Sequence, residues 1–286
     1  MSLDDAHLSP TIDFLSVGHI CYDLTPGGKI VGGAAAYTAA IADALGCRTA
    51  VVTSAAPADD WQPVFPQLLI HQKHAESTTV FENIDTPQGR IQTIHAVASC
   101  LTHEDIPTDW LRASIVYLGP IANEVDPRLV QLFSNSMLGI GPQGWLRRWH
   151  EDGRVFHVPW EDAAVVVPLA AVTFLSMEDL ARADDLTRYQ HLAKILVVTD
   201  GRKGCTVYFH NEERSFPAVP VEVEDTTGAG DIFAAAYLIR LSQTNGDVWE
   251  SAKFANQIAA RSVKVRGLPD KIIAIRHLVA AGVEQV

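Results

Sequence analysis

Several features that define other protein classes are scarce or missing in this chain. Its 286 residues include only four cysteines, which are scattered without the close spacing of a zinc site or a disulfide framework. The 22 Lys and Arg are outnumbered by 34 Asp and Glu, and this charge of −12 argues against nucleic acid or an anionic membrane as the main partner. No stretch approaches the ~20 apolar residues of a membrane span. The acidic, polar first ten residues resemble no targeting peptide, so we expect a cytoplasmic protein.

The composition that is present predicts a folded α/β domain. Hydrophobic residues make up 48% and charged residues 20%, and no linker or repeat divides the chain, so residues 1–286 are interpreted as a single domain. An apolar run at Ile12–Gly18, a helical segment at Ala34–Leu45 and a second apolar run at Arg48–Ser54 predict a βαβ unit with parallel strands. Further buried strands are predicted at Ser114–Leu118, Ala171–Leu175 and Ile195–Thr199, and helices at Pro127–Ser134, Asp184–Ala193, after Gly228, at Asp247–Val263 and at Asp270–Ala281.

Two segments interrupt this alternation of strands and helices. Residues Tyr22–Ile30 and Ser77–Ala98 have the pattern of β-hairpins, with strand-forming residues around turn residues. We expect them to form a small antiparallel sheet, at about residues 20–31 and 77–98, that covers the main sheet as a lid.

The segment 225–231, Asp-Thr-Thr-Gly-Ala-Gly-Asp, is the most informative motif. Gly228 and Gly230 let the backbone approach a ligand closely, and the N–H groups of Gly228, Ala229 and Gly230 would form an anion hole where a helix begins. Asp231 could accept a proton from an attacking hydroxyl as a general base. The alternative is a glycine-rich lead-in to a capped helix, but the complete motif is too specific for that.

This motif resembles the C-terminal signature of the ribokinase-like carbohydrate kinases, also called the phosphofructokinase-B family. Other landmarks of the family follow in the expected order over almost the whole chain. The resemblance implies a three-layer αβα sandwich with a mainly parallel central sheet and a small β-sheet lid. It also implies a substrate site at Asp23, Gly32, Gly33 and Tyr37, and a nucleotide site at Thr199, Gly201, Gly204 and Asn256.

Two positions depart from the family pattern. Tyr37 stands where the family carries a sugar-binding Asn. In the segment that usually reads Asn-x-x-Glu, Ser176 replaces Asn, and either Asp179 or Glu178 supplies the acid linked to Mg²⁺. The resemblance further implies that Asp225 and Thr227 could bind a monovalent cation such as K⁺.

The expected function is an ATP- and Mg²⁺-dependent kinase acting on a small polyol, as a monomer or homodimer. The segment Gly141–Arg147, the alanine-rich Gly-Gly motif and Tyr37 resemble relatives similar to inositol kinases, which favours myo-inositol over another sugar or a nucleoside. A catalytically silent protein with the same fold stays an alternative. A dinucleotide enzyme is excluded, because no G-x-G-x-x-G follows the first strand.

Overall fold

The computed structural model describes residues 11–86, 89–180 and 183–282, and the acidic first ten residues lie outside these ranges. The strands are, in chain order, β1 (Phe14–Val17), β2 (Cys21–Thr25), β3 (Gly28–Gly32), β4 (Thr49–Ala55), β5 (Leu69–His74), β6 (Val80–Thr86), β7 (Gly89–Ala96), β8 (Ile115–Leu118), β9 (Met137–Ile140), β10 (Arg147–Trp149), β11 (Val155–His157), β12 (Val172–Ser176), β13 (Ile195–Thr199), β14 (Cys205–Phe209) and β15 (Glu212–Phe216). The α-helices are α1 (Ala34–Ala44), α2 (Ala163–Val166), α3 (Ala183–Leu192), α4 (Ala229–Gln243), α5 (Val248–Ser262) and α6 (Gly267–Ala280).

A nine-stranded sheet forms the centre of the fold, in the order β15-β14-β13-β12-β9-β8-β1-β4-β5. The seven strands from β13 to β5 run parallel, and the hairpin β14–β15 continues the sheet in antiparallel fashion. The parallel strands are almost entirely apolar because both faces of the sheet are covered. The mainly parallel α/β sandwich predicted from the sequence is confirmed.

Each face of this sheet has its own hydrophobic core. Along β8, Ile115 and Tyr117 pack on the side of α1, α4, α5 and α6, whereas Val116 and Leu118 pack on the side of α2 and α3. This alternation follows from the two-residue period of side chains along a strand. The segment predicted as a helix at 127–134 lies on the second side, as the 3₁₀-helix Pro127–Phe133.

A separate four-stranded sheet has the order β3-β2-β6-β7. Its two outer pairs are antiparallel hairpins, but β2 and β6 join them in parallel, so the sheet is mixed rather than antiparallel throughout as expected from the sequence. The sheet therefore unites the two segments that interrupt the sequence pattern, and we call it the small sheet. It leaves the main sheet at the carboxyl end of β1, where ligands bind in open α/β sheets. Within the described ranges, no helix is long and apolar enough to cross a membrane.

Candidate active site

The carboxyl ends of adjacent parallel strands bring three sequence-distant loops together. The loop after β8 carries Glu124, the loop after β9 carries Gln143 and leads into Arg147, and the turn after β12 carries Asp179. Gly141 and Gly144 make this packing possible, because a Cβ atom would collide with the hydroxyl of Tyr117 or with the backbone of the β8 loop. Charged side chains from these three loops thus lie close together at this edge of the sheet, near the start of α4.

The turn before α4 depends on Gly228. This residue caps the helix in the left-handed conformation, with φ 72°, and a Cβ atom there would collide with the Tyr37 ring. Gly230 has open space around the position of a Cβ atom. The N–H of Ala229 donates to Thr226 O at 3.1 Å, so this one of the three expected anion donors is used inside the turn. The roles of Gly228 and Gly230 stay predictions.

Asp231 lies in the first turn of α4, where the helix dipole favours a negative charge. Burial, and then the negative charge of Asp179, raise its pKa to about 7, while the positive charge of Arg147 opposes the rise. The same carboxylates contribute to the raised pKa of the buried Tyr117, after burial itself. Asp231 therefore changes its protonation state near neutral pH, as a general base requires.

Arg147 was assigned no role from the sequence. It is 9% exposed, its Nη1 donates to Ile121 O at 3.2 Å, and its buried Nε has no hydrogen-bond partner among the described residues. Burial lowers its pKa, whereas the negative charges of Asp179 and Asp231, followed by that of Glu124, raise it. A buried guanidinium with a spare N–H beside two carboxylates can bind an oxygen of a ligand.

Gln143 and Glu124 hold this cluster in place. Gln143 Nε2 donates to Asp179 Oδ1 at 3.4 Å. The buried Glu124 carboxylate accepts the N–H groups of His19, Ile121 and Ala122, which links the loops after β1 and β8. Of these two residues only Gln143, within the Gly141–Arg147 segment, gave a signal in the sequence. The contacts of Gln143 with Asp179 and of Glu124 with His19 join distant parts of the chain, which the sequence does not reveal.

Asp23 stands on β2 of the small sheet. Its Oδ1 accepts the amide of Asn83 at 3.0 Å, and Gln92 in turn donates to Asn83 Oδ1 at 2.8 Å. A Cβ atom at Gly32 would collide with Asp23 Oδ2, so this glycine makes room for the carboxylate. The Asp23 carboxylate is therefore oriented by its own sheet.

The structure brings Asp23 and Asp231 into the same electrostatic neighbourhood. Besides burial, which is the largest cause, both carboxylates contribute to the raised pKa of the buried Cys21 thiol. Tyr37 senses them too: its pKa is raised by burial first and then by the negative charges of Asp225, Asp23 and Asp231. The small sheet and the start of α4 thus meet at one site, although they are about two hundred residues apart in the chain.

Gly33 and Tyr37, which were predicted to contact the substrate, make packing contacts within the fold. Gly33 precedes α1 with φ 99°, and a Cβ atom there would collide with His19 O. The Tyr37 side chain is 2% exposed and lies against Gly228. It supports the turn before α4, and a direct contact between this buried ring and a substrate stays a prediction.

The residues predicted to line the nucleotide lie in two places, at the end of β13 and beside the chain that follows β15. Thr199 ends β13 and donates through Oγ1 to Leu175 O at 3.3 Å, and Gly201 begins the following 3₁₀ turn. Asn256 donates to Phe216 O at 3.3 Å, and the backbone of Gly204 packs so closely on Phe216 that a Cβ atom would collide there. These contacts fix the loop after β13 beside the chain that follows β15.

The two acidic candidates for Mg²⁺ differ in burial. Asp179 is 7% exposed and acts on Asp231, whereas Glu178 is exposed. The described residues contain no cluster of three or more His, Cys, Asp or Glu side chains placed to hold a metal. A single carboxylate from the protein is nevertheless enough to bind Mg²⁺ at such a site, because phosphate oxygens and water supply most of the ligands of this ion in kinases. Asp179 is the more buried of the two candidates and lies beside Asp231, and its role in holding Mg²⁺ stays a prediction.

The oxygens predicted to bind a monovalent cation contact a lysine instead. Lys271 Nζ donates to Asp225 O at 2.8 Å and to Thr227 O at 2.7 Å. Burial would raise the pKa of Asp225, but the N–H groups of Gly267 and Thr227, together with Lys271, hold it below its usual value. Asp225 and Thr227 are therefore brought together as expected, but around an ammonium group.

The order of the strands and the separate small sheet define an α/β protein of the ribokinase fold. Two structures of a pyrophosphate-dependent kinase in the ribokinase family each superpose with a TM-score of 0.77 at 20% identity, covering 91% of this chain and 99% of theirs. Ribokinase from Arabidopsis thaliana, solved with ribose and ATP, gives a TM-score of 0.67 at 16% identity, covering 93% of this chain and 99% of its own.

Sequence comparisons agree with the fold. Residues 169–273 match the model of the pfkB family carbohydrate kinases. Inositol 3-kinase from Zea mays is 26% identical over 292 aligned positions, which cover 91% of this chain and 74% of that protein. Probable fructokinase-5 from Arabidopsis thaliana is 34% identical over 116 positions, but these span only 36% of its length. The chain is thus similar to the pfkB family carbohydrate kinases over residues 169–273, and to inositol 3-kinase over most of its length.

Proposed function

We propose that this protein transfers the γ-phosphate of ATP to a hydroxyl of a cyclitol, with myo-inositol as the first choice. The observation that carries the proposal is Asp231, a carboxylate with a pKa raised to about 7 at the start of α4, beside Asp179 and Arg147. The similarity to inositol 3-kinases of three plants, over 90–91% of this chain, supports the choice of acceptor.

In this proposal the acceptor lies between the small sheet and α4. Asp23 accepts hydrogen bonds from two acceptor hydroxyls, and Asn83 keeps its carboxylate oriented. Arg147 donates its unpaired Nε–H to a ligand oxygen. Asp231 orients the hydroxyl to be phosphorylated and takes its proton, so that the oxygen can attack the γ-phosphorus in line.

The donor phosphates lie at the turn before α4. The N–H groups of Gly228 and Gly230, aided by the dipole of α4, stabilise the charge on the phosphoryl group in transfer. Asp179 would hold Mg²⁺, which would supply positive charge to offset the negative charge of the donor phosphates. The small sheet closes over the acceptor and excludes water, which would otherwise compete as the acceptor.

Two other candidates have specific support. Cytidine kinase from Thermococcus kodakarensis is 25% identical over 81% of this chain, which supports a nucleoside acceptor. One ribokinase-family structure holds a pyrophosphate analogue and myo-inositol, which supports pyrophosphate as the donor. A protein that binds these ligands without catalysis is the remaining alternative.

A matrix of donors and acceptors tests the proposal. The purified protein is incubated with ATP or pyrophosphate and Mg²⁺, together with myo-inositol, ribose, fructose or cytidine, and the phosphorylated product is detected by ³¹P NMR. We expect the highest kcat/KM for ATP with myo-inositol. A higher value for cytidine or for pyrophosphate selects the corresponding alternative. Ligand-induced thermal stabilisation without any product indicates the silent binder.

A further inference from the structure

Lys271 is a fully buried lysine at the base of the turn before α4. Its side chain is 0% exposed, and its Nζ contacts Asp225 O at 2.8 Å, Thr227 O at 2.7 Å and Asp225 Oδ2 at 3.3 Å. An ammonium group has three N–H donors and no acceptor, so these oxygens match its bonding capacity. Lysine is almost never buried so completely unless its charge is paired, and here Asp225 supplies the opposite charge.

This arrangement does not fit a bound monovalent cation. The two carbonyl oxygens and the carboxylate are hard oxygen ligands, which such an ion would need, and they converge on Lys271 Nζ. An ion at the same point would collide with the ammonium group, and an ion next to it would meet a like charge in a buried region.

We propose that the ammonium group of Lys271 takes the place of a monovalent cation behind the anion-binding turn, which makes the enzyme independent of K⁺. The proposal rests on the proposed function, because it concerns the turn that would bind the donor phosphates. Lys271 is a positioning residue: it contacts the backbone of the turn and not the substrate.

The geometry explains how a lysine can set the turn. In a trans peptide the C=O points away from the N–H of the next residue, and the described residues contain no cis peptide. Because Thr227 O points at Lys271 Nζ, the N–H of Gly228 is directed away from it. The second contact fixes the Asp225–Thr226 peptide in the same manner. The positive charge also adds to the field at the N-terminus of α4.

The experiment compares chloride salts of K⁺ and tetramethylammonium at equal ionic strength. It uses the wild-type protein, Lys271→Met, Lys271→Ala and the control Lys253→Met, which removes an exposed lysine of α5. Each protein is assayed for kcat and KM with the best donor and acceptor, and its Tm is measured without ligands. The Met variant keeps the apolar stem, and the Ala variant leaves space for a cation.

We expect the wild type and Lys253→Met to have the same kcat and Tm in both salts. Lys271→Met should lose ~10-fold or more of kcat, as when an oxyanion donor is disturbed, with little change in acceptor KM. K⁺ should raise the Tm and kcat of Lys271→Ala but not those of the wild type, because a cation then binds the exposed oxygens.

Two results would overturn the proposal. One is a wild-type protein whose kcat is severalfold higher, or whose Tm is several degrees higher, in K⁺ than in tetramethylammonium. The other is a folded Lys271→Met whose kcat equals that of the wild type in tetramethylammonium. If either variant does not fold, the wild-type salt comparison still decides the question. If the wild type phosphorylates none of the acceptors, the proposed function fails, whereas the Tm comparison continues to test the cation replacement.

Discussion

At the scale of single residues, Asp231 experiences opposing influences. Its position in the first turn of α4 favours the ionised form, whereas burial and the neighbouring Asp179 disfavour it. The outcome is a pKa of about 7, so that about half of the carboxyl groups are ionised at neutral pH and the ionised form can still take up a proton. Arg147 belongs to this balance, because its positive charge lowers the same pKa.

The first prediction concerns the pH dependence of catalysis. Since Asp231 must be ionised to act as a base, kcat/KM should fall as the pH decreases through about 7. Arg147→Gln should move this acid limb to higher pH, because a charge that favours ionisation is removed. Asp179→Asn should move it to lower pH. Both variants lose absolute rate, so the measurement is the midpoint of the pH profile, and equal midpoints in all three proteins would contradict the electrostatic account.

The second prediction concerns the free energy of unfolding, which the buried Asp231 carboxylate lowers when it is ionised. A folded-state pKa of about 7, above the value of an unfolded Asp, means that the folded protein loses stability as the pH rises from about 4 to 7. Asp231→Asn removes this cost and should raise the unfolding free energy by roughly 1–3 kcal/mol at pH 8, and by much less at pH 4. Urea denaturation at both pH values measures the difference.

The same variant should lose turnover by ~10²–10⁴, because the amide cannot accept the proton. Acceptor affinity should change little, since shape and hydrogen-bonding capacity are retained. Near-normal turnover by Asp231→Asn, with its best substrate, would show that another group is the base.

At the scale of secondary-structure elements, the start of α4 separates two glycines with different constraints. Gly228 needs a left-handed conformation and contact space, whereas Gly230 lies beside open space. The motif alone indicated that both glycines matter but not why. The difference arises from the Tyr37 ring, which comes from α1 and could not be positioned from the sequence.

The third prediction compares these glycines. Gly228→Ala should lower stability by about 1–2 kcal/mol or more, because a Cβ atom is strained at positive φ and collides with Tyr37. Gly230→Ala should keep or raise the Tm, since alanine suits a helix better, but it should weaken donor use because the methyl group enters the space of the phosphate. Thermal denaturation and donor KM are measured for both. An unchanged donor KM in Gly230→Ala would show that the turn only begins the helix and does not bind the donor phosphates.

The fourth prediction concerns Asp23 on β2. Asp23→Ala removes charge-assisted hydrogen bonds and should reduce acceptor affinity roughly 10- to 200-fold. Donor binding should be unchanged, because the turn before α4 belongs to another element. Calorimetric titration with a non-hydrolysable nucleotide first and the polyol second separates the two ligands. Equal weakening of both would assign Asp23 to the support of the small sheet rather than to the substrate.

The elements predicted from the sequence were those with strong local patterns. Strands β1, β4, β8, β12 and β13, and helices α1, α4 and α5, lie where the apolar runs and the helical segments of the sequence predicted them. Strand β9 was not predicted, because its four residues include Gly139, whose lack of a side chain accommodates Leu238 of α4. Helix α6 begins at Gly267, three residues earlier than predicted, whereas Lys271 lies within the predicted part of this helix.

At the scale of the whole molecule, the site combines parts that no sequence window contains. The motif of residues 225–231 and the charge at Asp23 were visible in the sequence. The contributions of Arg147, Asp179 and Lys271 depend on contacts between loops from different strands and helices. Long-range packing of this kind leaves no periodic trace in the chain, so it required the structure.

The fifth prediction is that ligands act unequally on the two sheets. The small sheet consists of four strands beside the site, whereas the nine-stranded sheet is covered by a core on each face. Acceptor and non-hydrolysable nucleotide together should therefore slow amide hydrogen exchange in β2, β3, β6 and β7, and leave β1, β4 and β8 nearly unchanged. Protection spread evenly over both sheets would argue against closure of the small sheet.

The hairpin at one end of the nine-stranded sheet has a consequence for solubility. Its outer strand, β15, has the sequence Glu-Glu-Arg-Ser-Phe with four exposed residues, and the opposite edge strand, β5, carries His71, Lys73 and His74. Open edges can pair with strands of other molecules, and charged side chains oppose such pairing. Both margins of the large sheet thus carry polar and charged side chains that oppose edge-to-edge pairing, so the open sheet does not depend on closure into a barrel to avoid it.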